Sequence, residues 1–182
     1  MALQGVQVGR VQDERELEQI LALQRRNLPR NLDARALAEQ GFVTVEHTLP
    51  VLRRMHELEP SIVARDGGSL AGYALVMPVS CRDIVPVLEP MFQRLENFRK
   101  RFYVMGQICV DAPWRGRGVF DALYRGHREI LGDRYELVVT EVSVRNPRSL
   151  RAHERVGFRE IERYRDATDE WVLLGWDFKD PG

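Results

Sequence analysis

Cysteine is scarce in this chain, and no apolar run is long. The 182 residues hold two cysteines, Cys81 and Cys109, in dissimilar contexts. They form neither a metal-ligand spacing nor a disulfide framework, so a reducing, cytoplasmic setting is expected. Cys109 reads as a small core residue, because nothing beside it in sequence would lower its pKa. No apolar stretch approaches the roughly 20 residues that cross a bilayer. The N-terminus, M-A-L-Q-G-V-Q-V-G-R, lacks the basic start and apolar stretch of a signal peptide. An excess of either charge is missing too: 27 basic residues balance 27 acidic ones, so no overall field draws nucleic acid or anionic lipid. Of four histidines, His47 and His56 read as surface or helix residues, and no cluster suggests a metal. There is no Walker A loop and no three-glycine dinucleotide fingerprint.

What is present is one alternating series of elements without a linker or a repeat. Val6–Val11 reads as a strand. Asp13, with Glu16 three residues on, makes a capping box for a helix carrying Leu17, Ile20, Leu21 and Leu28. Asp33 caps a short helix, Ala34–Gln40, ended by Gly41, and Thr48 with Pro50 opens another that stops before Pro60. Ser61–Arg65 and Leu70–Met77 form a hairpin about Asp66-Gly67-Gly68. Between Pro78 and Arg101, Pro86 and Pro90 break the pattern, while Val87, Leu88, Met91, Leu95 and Phe98 space as a helix through Phe98. A strand, Phe102–Val110, then leads through a glycine loop to a helix from Val119 to Leu131. Strand Glu136–Val144, helix Pro147–Val156 and strands near Glu160–Tyr164 and Trp171–Phe178 complete a mixed α/β chain, read as one domain over 1–182.

The most informative stretch is Gln107–Phe120, Q-I-C-V-D-A-P-W-R-G-R-G-V-F. A strand runs into a basic, glycine-punctuated loop that opens a helix, an arrangement that offers N–H groups and a positive helix end to a phosphate. Alone, R-G-R-G is equally a solvated turn. A second segment at Val138–Phe158, V-V-T-E-V-S-V-R-N-P-R-S-L-R-A-H-E-R-V-G-F, decides between them. Together the two resemble the GNAT superfamily of N-acetyltransferases. Ile108, Val110, Arg115 and Gly118 match its strand and Arg/Gln-x-x-Gly-x-Gly/Ala loop, and Asn146, Ser149, Gly157 and Phe158 match its next strand–helix unit.

The resemblance implies a mostly antiparallel sheet with one splayed parallel strand pair and helices on both faces. It implies acetyl-CoA as co-substrate and a small-molecule or peptide amine acceptor, with a homodimer as the expected assembly, while the balanced charge and the lack of a ligand cluster lead to no expected nucleic-acid, membrane or metal partner. The pantetheine arm would pair with the backbones of Ile108, Cys109 and Val110. The pyrophosphate would sit on the N–H groups of Arg117, Gly118, Val119 and Phe120, with charge from Arg115 and Arg117, and Asn146 would reach the pantetheine. A strand N–H near Cys109 or Val110 would polarise the thioester. The amine would attack directly, without a covalent enzyme intermediate. A non-catalytic CoA-binding module of the same fold is the alternative.

Three positions depart from the family pattern. Phe120 replaces a small residue and is expected to pack inward, and Trp114 to shelter the loop. His153 stands where many members carry a tyrosine that protonates the leaving thiolate; it either donates a proton or merely lines the pocket. Gln107 occupies a common glutamate position, and an amide cannot act as a base. Glu141, interrupting the apolar run V-V-T-E-V-S-V, is the replacement base, or else a structural ion pair. Tyr73 and Met77 are expected with Gln107 in the acceptor pocket, walled by the variable 78–101 segment. The apolar C-terminus, with Trp171, Leu173, Leu174 and Trp176, either pairs across a dimer or completes the sheet.

Overall fold

The near-continuous apolar run Leu70–Met77 suits a central strand covered on both faces. In a computed structural model that describes residues 5–179, apart from the side chains of 38–40, this run lies within β3 (Ser69–Met77). The other strands are β1 (Val6–Arg10), β2 (Ile62–Asp66), β4 (Phe102–Val110), β5 (Leu137–Ser143), β6 (Arg159–Arg165) and β7 (Glu170–Asp177). One seven-stranded sheet has the order β1-β2-β3-β4-β5-β7-β6. Every neighbouring pair is antiparallel except β4 and β5, which run parallel.

Helices cover both faces. On one side lie α1 (Glu14–Arg26), α3 (Leu49–Leu58) and α4 (Glu89–Leu95), which share a core with Tyr73, Met77, Val104, Val139 and Leu173; the short α2 (Ala34–Gln40) comes between α1 and α3 in the chain. On the other lie α5 (Val119–Leu131) and α6 (Pro147–Val156), packed with Ala74, Met105, Val138 and Val142. Asp13 caps α1 by accepting from Glu16 N–H at 3.0 Å. Asp33 caps α2 through Ala36 N–H at 2.7 Å, and Gly41 ends it.

The 78–101 segment differs from the single helix through Phe98. It makes two 3-10 turns, Val79–Ile84 and Pro86–Leu88, before α4 ends at Leu95. Pro86 and Pro90 each remove an amide donor that a longer helix would use, so the apolar residues Cys81, Ile84, Leu88, Met91 and Leu95 are buried turn by turn. The C-terminal strand also resolves one way. β7 lies between β5 and β6, so its apolar residues complete the sheet, and the outer place falls to β6, whose charged residues Arg159, Glu160, Glu162 and Arg163 are exposed and suit an edge strand.

Candidate active site

Pairing between β4 and β5 covers only Phe102–Val104 and Leu137–Val139. Beyond it the strands part, and the hydroxyl of Thr140 donates to the Met105 carbonyl at 2.9 Å across the closing end of the gap. Asp111 N–H bonds to Ala71 on β3. Strand alternation therefore turns the Cys109 backbone toward β3, and the N–H and C=O groups of Ile108 and Val110 toward the gap. This corrects the expectation that all three residues offer their backbones there. The Val110 carbonyl already accepts from Arg115 Nε at 3.1 Å. Cys109 is enclosed and its thiol is pushed up to about 12 by burial, so it is no nucleophile.

A groove of about 1400 Å³ opens from the gap, lined by Asn27 and residues 41–43, by Ile108–Val110, by the 114–121 loop and by α6 residues including Asn146, Ser149 and Arg151. Gly118, the N-cap of α5, has φ 87°, and Gly116 has φ 73°. These left-handed values favour glycine and aim successive amides at the groove. Ala122 N–H makes the first bond within α5, to Gly118 O at 3.0 Å. The amides of Val119, Phe120 and Asp121 therefore form the unpaired first turn. Arg117 N–H is instead drawn back to Trp114 O at 3.4 Å, so it leaves the expected cradle. Its guanidinium sits 5.2 Å from the Trp114 ring.

Arg115 is a strut as well as a groove residue: besides Val110 O, it donates to the Asn27 side chain at the end of α1. Asn146 caps α6 by accepting from Ser149 N–H at 3.2 Å, and donates to Phe42 O at 3.1 Å. Phe120 packs inward as expected, its ring 5.2 Å from those of both Tyr124 and His153.

That packing removes His153 from the groove. His153 is 1% exposed. Its Nδ1 lies 2.7 Å from the Ser149 carbonyl, which can only accept, so Nδ1 carries the proton. Nε2 then accepts from the Tyr124 hydroxyl at 2.8 Å. Burial lowers its pKa to about 4. With both ring nitrogens engaged, His153 presents no proton to a thiolate, and the general-acid expectation is corrected to a buried aromatic-cluster residue.

The opposite face is built differently. Residues 41–48 form an extended strap over the gap. Phe42 O takes the Asn146 amide, Val43 N–H bonds to Asn27 O at 3.1 Å, and Val45 O accepts from Gln107 Nε2 at 2.7 Å. Gln107 Oε1 accepts from the Tyr73 hydroxyl at 2.5 Å. Tyr73 and Met77 are wholly enclosed. Neither lines the groove; expected in the acceptor pocket, both lie in the core shared with α1, α3 and the 78–88 turns. His47, expected near the surface, is buried on the strap, its backbone held by both ends of the Gln24 amide.

Glu141 lies on this face of β5, half-buried, and accepts from the Tyr164 hydroxyl. Arg94 of α4 lies 3.7 Å above the Tyr164 ring. Burial raises the Glu141 pKa to about 7 against the opposing Tyr164 bond. Its direct partner is thus a neutral phenol rather than a cation. Among the described residues there is no cluster of acidic, histidine or cysteine side chains that could hold a metal, and no helix long and apolar enough to cross a membrane.

A sequence profile of the Acetyltransferase (GNAT) family matches residues 17–158. The chain belongs to the GNAT family. A search of curated proteins gave no match. Solved structures of similar fold include Ard1 from Thermoplasma volcanium, with 14% identity, TM-score 0.66 and coverage of 95% of this chain and 97% of that one. The ribosomal-protein-S18-alanine N-acetyltransferase from Escherichia coli gives 14% identity, TM-score 0.67 and coverage of 97% and 96%. A chain of the NatC complex bound to Gag peptide and CoA gives 15% identity, TM-score 0.63 and coverage of 96% and 99%.

Within this GNAT chain several site-forming residues escaped the sequence: Thr140, Asn27, Tyr124, Tyr164 and the 41–48 strap. Thr140 sits in the second segment, Val138–Phe158, without matching a motif position, and the others lie outside both segments. Only Tyr124, four residues after Phe120 on the same helix face, carried a signal, since the inward packing of one implies the other.

Proposed function

We propose that this GNAT chain is an acetyl-CoA-dependent N-acetyltransferase acting on a primary amine by direct attack. The observation that carries this is the conjunction of the gap-facing Ile108 backbone and Val110 N–H with the unpaired first turn of α5 at the two ends of one groove. Pantetheine has two amides that suit a strand edge, and pyrophosphate suits a helix N-terminus. The NatC neighbour was solved with CoA. Arg151 in the groove's lining adds positive charge, while Arg155 is paired with Asp121.

In this mechanism the Ile108 N–H polarises the thioester oxygen. Glu141, near its midpoint at neutral pH, takes a proton from the ammonium through the gap, directly or through one water. The amine nitrogen forms a bond to the carbonyl carbon, the C–S bond breaks, and the sulfur leaves with the electron pair. The second amine proton passes to the thiolate by way of water, since His153 is engaged elsewhere. The products are an N-acetylated amine and CoA. The strap, Gln107 and the Arg94–Tyr164 pair wall the acceptor side.

Calorimetric titration with acetyl-CoA, with ATP as comparator, followed by a thiol-release assay over a panel of amines, tests the proposal. Micromolar binding of acetyl-CoA and amine-dependent thiol release are expected. Binding without release to any amine would favour a CoA-binding module, and no binding would overturn the donor site.

A further inference from the structure

The β4 strand is irregular at one place, and that place is the closed end of the gap. Its register with β3 runs from Ala74↔Ile108 to Val76↔Met105. Gly106 and Gln107 therefore oppose the single residue Leu75, which makes a bulge. Met77 lies across that bulge. A Cβ at Gly106 would collide with the Met77 sulfur and come within 3.3 Å of its Cγ and 3.7 Å of its Cε. The glycine is what lets the thioether lie flat on the strand. Below it, the Thr140–Met105 bond closes the gap.

Gly106 is two residues inside Ile108, where the groove lining begins, a distance of about 7 Å along the strand. A thioester whose pantetheine pairs with Ile108 and Val110 points its acyl group into that interval. We propose that Met77, folded over Gly106, limits the length of the acyl group, admitting acetyl and turning away chains of four carbons. The inference rests on the donor site proposed above and gives the buried Met77 a role other than contact with the acceptor. Methionine is a supple gauge, since its unbranched chain fills an irregular gap without strain.

Initial rates with acetyl-CoA and butyryl-CoA against one fixed amine, with calorimetric titration of both donors and of CoA, supply the test. Wild-type protein should prefer acetyl-CoA by at least about tenfold in kcat/KM, within the range that one or two methylenes produce in a fitted pocket. Met77→Ala should cut that preference about tenfold or more, while Met77→Leu keeps it within about threefold. Gly106→Ala should push the thioether into the acyl space and lower the rate with acetyl-CoA, and the double variant Gly106→Ala, Met77→Ala should recover it. Should Met77→Ala fail to fold, Met77→Val and the double variant carry the same comparison.

Unchanged donor preference in a folded Met77→Ala or Met77→Val protein that binds CoA normally would overturn this inference alone. A wild-type preference for butyryl-CoA would do the same. Failure of wild-type protein to bind CoA at all would overturn the donor site and this inference together.

Discussion

The two faces of the sheet build their halves of the site from different materials. On the α5–α6 face the groove is made of main chain: strand groups of Ile108 and Val110, and the first-turn amides of α5. On the α1–α4 face it is made of side chains drawn from distant positions. Glu141, Tyr164 and Arg94 come from β5, β6 and α4, and the strap is tied to Gln107, Asn146 and Asn27. A backbone site needs glycines and a helix start at fixed local spacing. A side-chain site needs only that the fold bring its members together.

The sharpest way to break that contrast is to test the two materials separately. Glu141→Gln should lower turnover by about 10²–10⁴, the usual contribution of a positioned base, and leave acetyl-CoA affinity within about twofold. Loss of affinity and turnover together would sink the division of labour between faces. In the wild type, kcat/KM should rise with pH through about 7, the value to which burial raises this carboxyl; the Gln variant should show no such limb. Stability carries the same signature with a fixed sign. Because the folded pKa lies above the unfolded one, the group's contribution is complete below about 4.5 and is lost as pH rises through about 7. Urea titrations at pH 5 and 8 should therefore favour the Gln variant more at the higher pH.

Next in size is the backbone cradle. Gly118→Val places a β-branched residue at φ 87°, where left-handed geometry costs about 1–2 kcal/mol. Nothing lies within 4 Å of the added Cβ, so the fold should persist while the α5 amides are re-aimed. Acetyl-CoA affinity should fall about 100-fold, with the first-turn amides of Val119, Phe120 and Asp121 misdirected. Calorimetry reads this directly, and retention of affinity would mean that the phosphates lie elsewhere.

The same contrast explains how much was legible in the sequence. The α5–α6 face was readable because Gly116, Gly118 and Asn146 act within a few residues of what they organise. Even there the alternation of Cys109 toward β3 and the turn that consumes the Arg117 amide are set by tertiary structure, since register with β3 decides the first and a 3.4 Å bond the second. On the α1–α4 face Glu141 stood out as a carboxylate in an apolar strand, but its partner Tyr164 lies 23 residues away on a strand two places across the sheet. Tyr73 and Met77 could not be told from pocket residues, because alternation places them on the correct face and only the cover of α1, α3 and the 78–88 turns encloses them. The short α4 was misread as longer because its apolar spacing continues through Phe98, which packs on the core just beyond the helix end.

His153 gives a smaller effect that sharpens the contrast. As a buried neutral imidazole it should matter to stability and little to chemistry. His153→Phe strands the Tyr124 hydroxyl, a loss of about 1–3 kcal/mol at pH 7, while turnover per folded molecule should stay within about threefold. Its pKa is lowered to about 4 from 6.5, so wild-type stability falls as pH drops from about 6.5 toward 4, where the unfolded chain binds the extra proton. The deficit of the Phe variant should thus narrow at pH 5. A large drop in turnover at full folding would restore His153 as a proton donor.

The smallest expected effect concerns charge on the donor face. Arg117 is exposed, stacked near Trp114, and its own amide is spent in the turn. If main-chain groups do the binding, its guanidinium adds only a screened attraction for the phosphates, since exposed charges act weakly across about 8–10 Å at physiological salt. Arg117→Ala should weaken acetyl-CoA binding about threefold at low ionic strength, and the difference should vanish near 0.5 M salt, where the screening length is roughly halved. A salt-resistant loss of tenfold or more would mean that the side chain grips a phosphate directly, and that the donor face, too, depends on a residue whose role its local motif does not fix.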